Sequence, residues 1–168
     1  FQPAEEGGGG GKAMVDDGLM DRFGIEEVFG MHNYPGMPVG AFGIRPGPMM
    51  AAADALTIDI EGVGAHAARP HLGVDTVLVG AQIINALQTI PSRQMDLTAA
   101  PSIVTVGMIQ GGVRGNIIPD SVVMVGTIRT LDTLHQKDIH ARIKRTVEKI
   151  AESAGATSEV TITKSYPI

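Results

Sequence analysis

The chain has 168 residues, with 13 Lys and Arg against 18 Asp and Glu, for a net charge of −5. That balance lacks the positive field a nucleic-acid binder or a basic membrane-surface module needs, so neither nucleic acid nor membrane is an expected partner. Zero cysteine removes a disulfide framework, a zinc ribbon and a thiol nucleophile, while 43% apolar residues suffice for a packed core.

Along the chain, the opening Phe1-Gln2-Pro3-Ala4-Glu5-Glu6 has neither an initiating Met nor an apolar leader, and is expected to be an interior segment of something longer. The run Gly7 to Gly11 reads as a loop, because each glycine loses much backbone freedom on ordering. It lacks the Gly-x-x-x-x-Gly-Lys-Ser/Thr spacing of a phosphate loop, since Lys12 is followed by Ala13. A short helix is expected over Lys12–Leu19, then strands at Glu27–His32 and Val39–Ile44 around an Asn33-Tyr34-Pro35-Gly36 turn. The stiff segment Arg45 to Ala53 predicts a hinge, dividing the chain into residues 1–50 and 51–168.

Beyond the hinge, Leu56, Ile58 and Ile60 alternate with polar residues, the period of a half-buried strand. Asp75 is suited to cap a helix carrying Val79, Ile83 and Leu87 and ending before Pro91. Strands are expected at Ile103–Ile109 and Val122–Thr130. A second helix follows Asp132, with Ile139, Ile143, Val147 and Ile150 on one face, Gly155 at its end, and a last strand around Val160 and Ile162. The order β-α-β-β-α-β predicts an α+β, ferredoxin-like domain: a four-stranded antiparallel sheet with both helices on one face. His135 and His140 on the second helix are expected to be solvated.

Five places hold residues suited to chemistry. Adjacent Glu5 and Glu6 can divide two tasks, one binding metal and one acting as a general base. His32, after Val28 and Phe29, suits a borderline metal such as Zn²⁺ or Mn²⁺. His66 lies among small residues, Gly64-Ala65-His66-Ala67-Ala68, that allow close approach of a ligand or another backbone. Asn116 and Arg129 could together hold a carboxylate, Arg through its planar fork and Asn through its amide. Each also has a plain structural reading: an exposed acidic pair, a hydrogen-bonded strand-end His, a loop His, a turn Asn and a sheet-edge Arg.

The order of these motifs is more specific than any one of them. Phe1 to Gly7, Gly30-Met31-His32, Gly64 to His71, Asn116-Ile117-Ile118-Pro119-Asp120 and Gly126-Thr127-Ile128-Arg129 together resemble the M20 metallopeptidase family. The resemblance is to its amidohydrolase branch of hippurate hydrolases and N-acyl-amino-acid deacylases. It implies a catalytic α/β metallohydrolase domain, represented by residues 1–50, interrupted by a ferredoxin-like lid that forms a homodimer. It also implies two divalent ions (Mn, Zn, Co or Ni), an N-acyl amino acid substrate and a cytoplasmic setting. By the same match Glu5 is similar to the general base, and Glu6 and His32 to metal ligands. His66 is similar to the lid histidine that stabilises the tetrahedral intermediate in the partner subunit's site, and Asn116 and Arg129 to residues holding the substrate carboxylate. The family's upstream Cys-x-His or His-x-Asp ligands and its later His have no counterpart here, so the 168-residue chain alone is expected to be inactive. A dipeptidase or carboxypeptidase of the same family, or a non-catalytic dimerisation or ligand-binding module, are the alternatives.

Overall fold

A computed structural model describes residues 2–5, 7 and 9–168. The chain divides into two compact units, Phe1–Arg45 and Pro46–Ile168.

The first unit holds two short helices, α1 (Gly10–Asp16) and α2 (Leu19–Phe23). The expected single helix is thus split. Gly18 has φ +84°, a left-handed conformation that costs glycine little, and it ends one helix while opening the next. The strands expected at Glu27–His32 and Val39–Ile44 do not form. Phe29, Val39 and Ile44 are almost fully exposed, and without a ladder partner or an apolar face to cover, an alternating sequence has no reason to stay extended as a sheet. Only the turn survives, closed by Met37 N–H donating to the Tyr34 carbonyl at 3.2 Å.

The second unit is the expected ferredoxin-like domain. Its main strands are β1 (Ala52–Glu61), β3 (Ser102–Gly111), β5 (Ser121–Thr130) and β6 (Thr157–Tyr166). They lie in the order β3-β5-β1-β6, every neighbouring pair antiparallel. Helix α3 (Thr76–Thr89) and helix α4 (Thr133–Ser153) cover one face. Their start points obey simple capping chemistry. The Asp75 carboxylate accepts from the N–H groups of Val77 and Leu78, and Asp132 accepts from Leu134 and His135, satisfying donors that the first helical turn leaves unpaired. Gly155, with φ +79°, turns the chain out of α4.

Alternation decides which side chains enter the core. Leu56, Ile58 and Ile60 of β1 and Val122, Met124 and Ile128 of β5 face Val79, Ile83 and Leu87 of α3 and Ile139, Ile143 and Val147 of α4, all buried. Burying each such side chain is worth roughly 1.5–3 kcal/mol. The residues between them on the strands, including Arg129, lie on the opposite, helix-free face.

A second, two-stranded sheet was not expected. It pairs β2 (Ala65–His66) with β4 (Ile117–Ile118) beyond the end of β1 and the start of β5.

Candidate functional site

Two of the candidate residues come together, and they do so through the small sheet. His66 of β2 sits opposite Ile117 of β4, and the next amide, Ala67 N–H, donates to the Asn116 carbonyl at 3.0 Å. His66 and Asn116 are therefore on adjacent ends of one ladder, both exposed. The His66 ring is oriented locally: its Nδ1 accepts from Ala68 N–H at 3.1 Å. An acceptor Nδ1 carries no proton, so the ring is neutral and Nε2 holds the N–H. His66 thus presents a neutral imidazole donor outward, the form that stabilises a developing oxyanion by hydrogen bonding.

Arg129 lies elsewhere. Eight residue steps of β5 separate Ser121, beside the small sheet, from Arg129, about 26 Å at roughly 3.3 Å per step. The expectation that Asn116 and Arg129 of one chain form a single carboxylate clamp fails on that geometry: Asn116 adjoins β4 of the small sheet, before β5 begins, and Arg129 lies at the far end of β5. Arg129 is half-buried on the open sheet face between Ala53 of β1 and Ile103 of β3. Its Nη1 donates to Thr127 Oγ1 and to the Ile128 carbonyl. Both acceptors are neutral, so the positive charge of the guanidinium is retained while its position is set.

In the first unit, Glu5 is exposed and lies in a turn, following Ala4 with φ +51°. Glu6 lies outside the described residues. His32 is exposed, and its Nδ1 approaches the Asn33 carbonyl at 2.7 Å. A carbonyl only accepts, so Nδ1 is the donor in this contact, and in the neutral ring that leaves Nε2 its lone pair, the arrangement usual in a histidine that ligates metal. One histidine is not a centre, however. Among the described residues no three His, Asp or Glu gather where a metal could sit, and Glu6 with His32 would supply two donors to a pair of ions. This donor set does not by itself build a dinuclear site.

The solvated reading of α4's histidines is corrected. His140 Nε2 lies 2.7 Å from Asp54 Oδ2, and Gln136 Nε2 donates to the same carboxylate at 2.9 and 3.2 Å. The Asp54 side chain is wholly buried and that of His140 nearly so. His135 Nδ1 is buried and has no hydrogen-bond partner among the described residues. Both histidines lie on the polar-looking edge of α4's sequence, but the sheet supplies a buried carboxylate that makes that edge an inner one. The one sequence signal for this was Asp54, a charge at an inward position of an otherwise apolar alternation.

Residues 52–155 match the M20 peptidase dimerisation domain. The chain belongs to the M20 peptidase family. It is 44% identical over 160 residues to the N-acetyl-L-cysteine deacetylase of Bacillus subtilis (strain 168), covering 95% of this chain and 38% of that protein. It is 40% identical to the thermostable carboxypeptidase 2 of Saccharolobus solfataricus, covering 100% of this chain and 43% of the relative. Among solved structures, the Bacillus subtilis YXEP protein, described as a dinuclear metal-binding peptidase of the M20 family, superposes with a TM-score of 0.76 at 32% identity, over 99% of this chain and 40% of that one. This M20 chain thus spans about two fifths of the length of the relatives it matches. No helix among its described residues is long and apolar enough to cross a membrane.

Proposed function

We propose that the whole M20 protein to which this chain corresponds hydrolyses the amide bond of N-acyl amino acids, working as a homodimer in which each active site uses residues of two lids. The separation of His66 and Asn116 from Arg129 carries this reading. About 26 Å of extended strand keeps the two groups of one lid from converging on a substrate the size of an acyl amino acid. Two copies related by a two-fold axis remove the conflict, because one copy's His66 and Asn116 can meet the other's Arg129.

In that arrangement Arg129, with its charge unpaired by carboxylate in its two hydrogen bonds, binds the free carboxylate of the substrate. Asn116 adds an amide donor. The Nε2–H of His66 donates to the carbonyl oxygen as it becomes an oxyanion. Glu5 takes the proton of the attacking water. Glu6 and His32 are proposed metal ligands, and the two divalent ions (Mn, Zn, Co or Ni) would require further ligands from the rest of the protein; when bound they would supply Lewis-acid chemistry. The 168-residue chain alone is accordingly proposed to be inactive.

A carboxypeptidase is the second reading, favoured by the resemblance to the Saccharolobus relative. Both reactions cleave an amide next to a free carboxylate, so Arg129 serves either. The acyl group separates them: acetyl or benzoyl in one case, peptidyl in the other.

The dimer edge is also assignable. Strand β3 is an edge of the sheet, with exposed Ile103 and Met108 toward the helix-free face and exposed Ile109 toward α3, which itself exposes Val77 and Leu78. The other edge, β6, shows Thr157, Glu159, Thr161, Thr163 and Lys164, the polar and charged pattern that discourages strand pairing. We assign the two-fold contact to β3 and α3.

The test is an assay of the whole protein on N-acetyl and N-benzoyl amino acids and on dipeptides, with each metal added and with chelator. Chelation is expected to abolish turnover. His66→Ala is expected to lower kcat by about 10²–10³-fold, and Arg129→Ala to act mainly on KM. Failure to cleave any of these substrates with any of the metals would leave the non-catalytic dimerisation module as the reading.

A further inference from the structure

We infer that Asp120 is a positioning residue that braces the His66 segment against the Asn116 segment, so that the two move as one unit; this rests on the role proposed above for His66. Asp120 reaches across with two separate acceptors. Its Oδ1 takes the N–H of Gly64 at 2.7 Å, and its main-chain carbonyl takes the N–H of Gly62 at 2.7 Å. From that anchor the two segments run antiparallel, Ala65 opposite Ile118 and His66 opposite Ile117, to the Ala67–Asn116 hydrogen bond.

The ladder beyond the anchor is only two residues long. A two-stranded ladder of that length is marginal in water, and His66 and Asn116 sit at its open end. The base is where that ladder is anchored, beside the Val63–Val74 bridge that holds the His66 segment to the chain entering α3. Asp120 contributes the side-chain bond that crosses between the segments there. From α3, the buried Thr76 hydroxyl donates to the neighbouring Pro119 carbonyl at 2.9 Å, fixing the base to the domain core.

The glycine at position 64 follows from the same contact. A Cβ on Gly64 would lie 2.5 Å from Asp120 Oδ1, closer than real atoms approach. Gly64 is therefore needed so that the carboxylate can reach the amide. The Gly64-Ala65-His66 motif and the Asn116 to Asp120 motif are in this sense two halves of one device.

Amide hydrogen exchange on the 168-residue chain tests the brace. In Asp120→Ala, Ala67 N–H is expected to exchange at least tenfold faster, although its own acceptor, the Asn116 carbonyl, is untouched. Amides of the central strands, such as Ile58 and Met124, should stay within twofold. Asp120→Asn keeps an oxygen acceptor and should return Ala67 close to its original rate. Gly64→Ala, whose methyl group meets the carboxylate and, at 3.2 Å, the Ile118 carbonyl, should accelerate Ala67 at least as much as Asp120→Ala and serves if that variant does not fold. An unchanged Ala67 rate in both Asp120→Ala and Gly64→Ala, or acceleration spread evenly over the central strands, would overturn the brace.

Turnover of the whole protein then separates the brace from the catalytic reading. Asp120→Ala is expected to lower kcat at least tenfold with KM within threefold, and Asp120→Asn to recover most of it. Full kcat in Asp120→Ala beside a defective His66→Ala would overturn the positioning role. Full kcat in His66→Ala would instead refute the role given to His66, with the exchange rates still deciding the brace.

Discussion

The Asp96 carboxylate shows how a local turn sets the properties of one side chain. The Thr98 hydroxyl donates to its Oδ1 at 2.6 Å and the Thr98 N–H at 2.9 Å. Those bonds favour the charged form and hold the Asp96 carboxyl below its ordinary value, helped by Ala99 N–H and the positive potential of His135 and opposed by slight desolvation of this exposed group. A group with a depressed folded-state pKa stabilises the fold above the ordinary aspartate range, and that contribution is lost as pH falls through the folded value. NMR titration of the Asp96 carboxyl is expected to give a midpoint below that of an unstructured aspartate, and Thr98→Val to raise it. An unmoved midpoint in Thr98→Val would assign the effect to the backbone amides instead. Nothing in the spacing of Asp96-Leu97-Thr98 marks this turn, because its bonds depend on the backbone path after α3. Much of the candidate site, by contrast, was legible as single residues: His66, Asn116 and Arg129 stand out by type and neighbourhood. Their hydrogen bonds, which decide tautomer and charge, depend on Ala68, Thr127 and Ile128 being brought to them by backbone geometry.

Elements show where periodicity suffices and where it does not. Helix α4 was readable because Ile139, Ile143 and Val147 recur at helical spacing, yet the partners of Gln136 and His140 came from β1, more than 80 residues earlier. The buried Asp54 carboxylate couples helix to strand. Removing one partner leaves the remainder under-satisfied, so His140→Ala is expected to cost about 3 kcal/mol, read by urea unfolding. The double variant Asp54→Ala/His140→Ala should cost less than the sum of the singles; strict additivity would mean that the pair does not interact. Gly126 performs a different task at the β3–β5 ladder. The pairing shifts register between Val106 and Met108, and a Cβ on Gly126 would lie 2.2 Å from the Thr105 carbonyl oxygen. Gly126→Ala is therefore expected to cost about 2 kcal/mol or more, with the loss of stability accompanied by faster amide exchange in β3. An unaltered unfolding midpoint would show that the bulge absorbs the methyl group.

At the scale of the molecule, the proposed assembly follows from an unequal pair of sheet edges. Met108→Lys with Leu78→Lys places charge on the apolar edge formed by β3 and α3. Light scattering at about 50 µM, a concentration at which a micromolar dimer is well populated, is expected to give a dimer for the native chain and a monomer for the double variant, with circular dichroism unchanged. A dimer retained in the variant would move the contact to another surface. Sequence alone determined the β-α-β-β-α-β order, its inward-facing residues and the Asp75 cap, because each depends on spacing or residue type within a short stretch of chain, and it determined the family through the order of short motifs along the chain. Tertiary structure decided that His66 joins Asn116 but not Arg129, that His140 is an inner residue, and that the strands expected before residue 45 have no sheet to join. Those outcomes turn on which distant segments meet, and hydrogen bonding and burial are satisfied only by the pairing of whole strands.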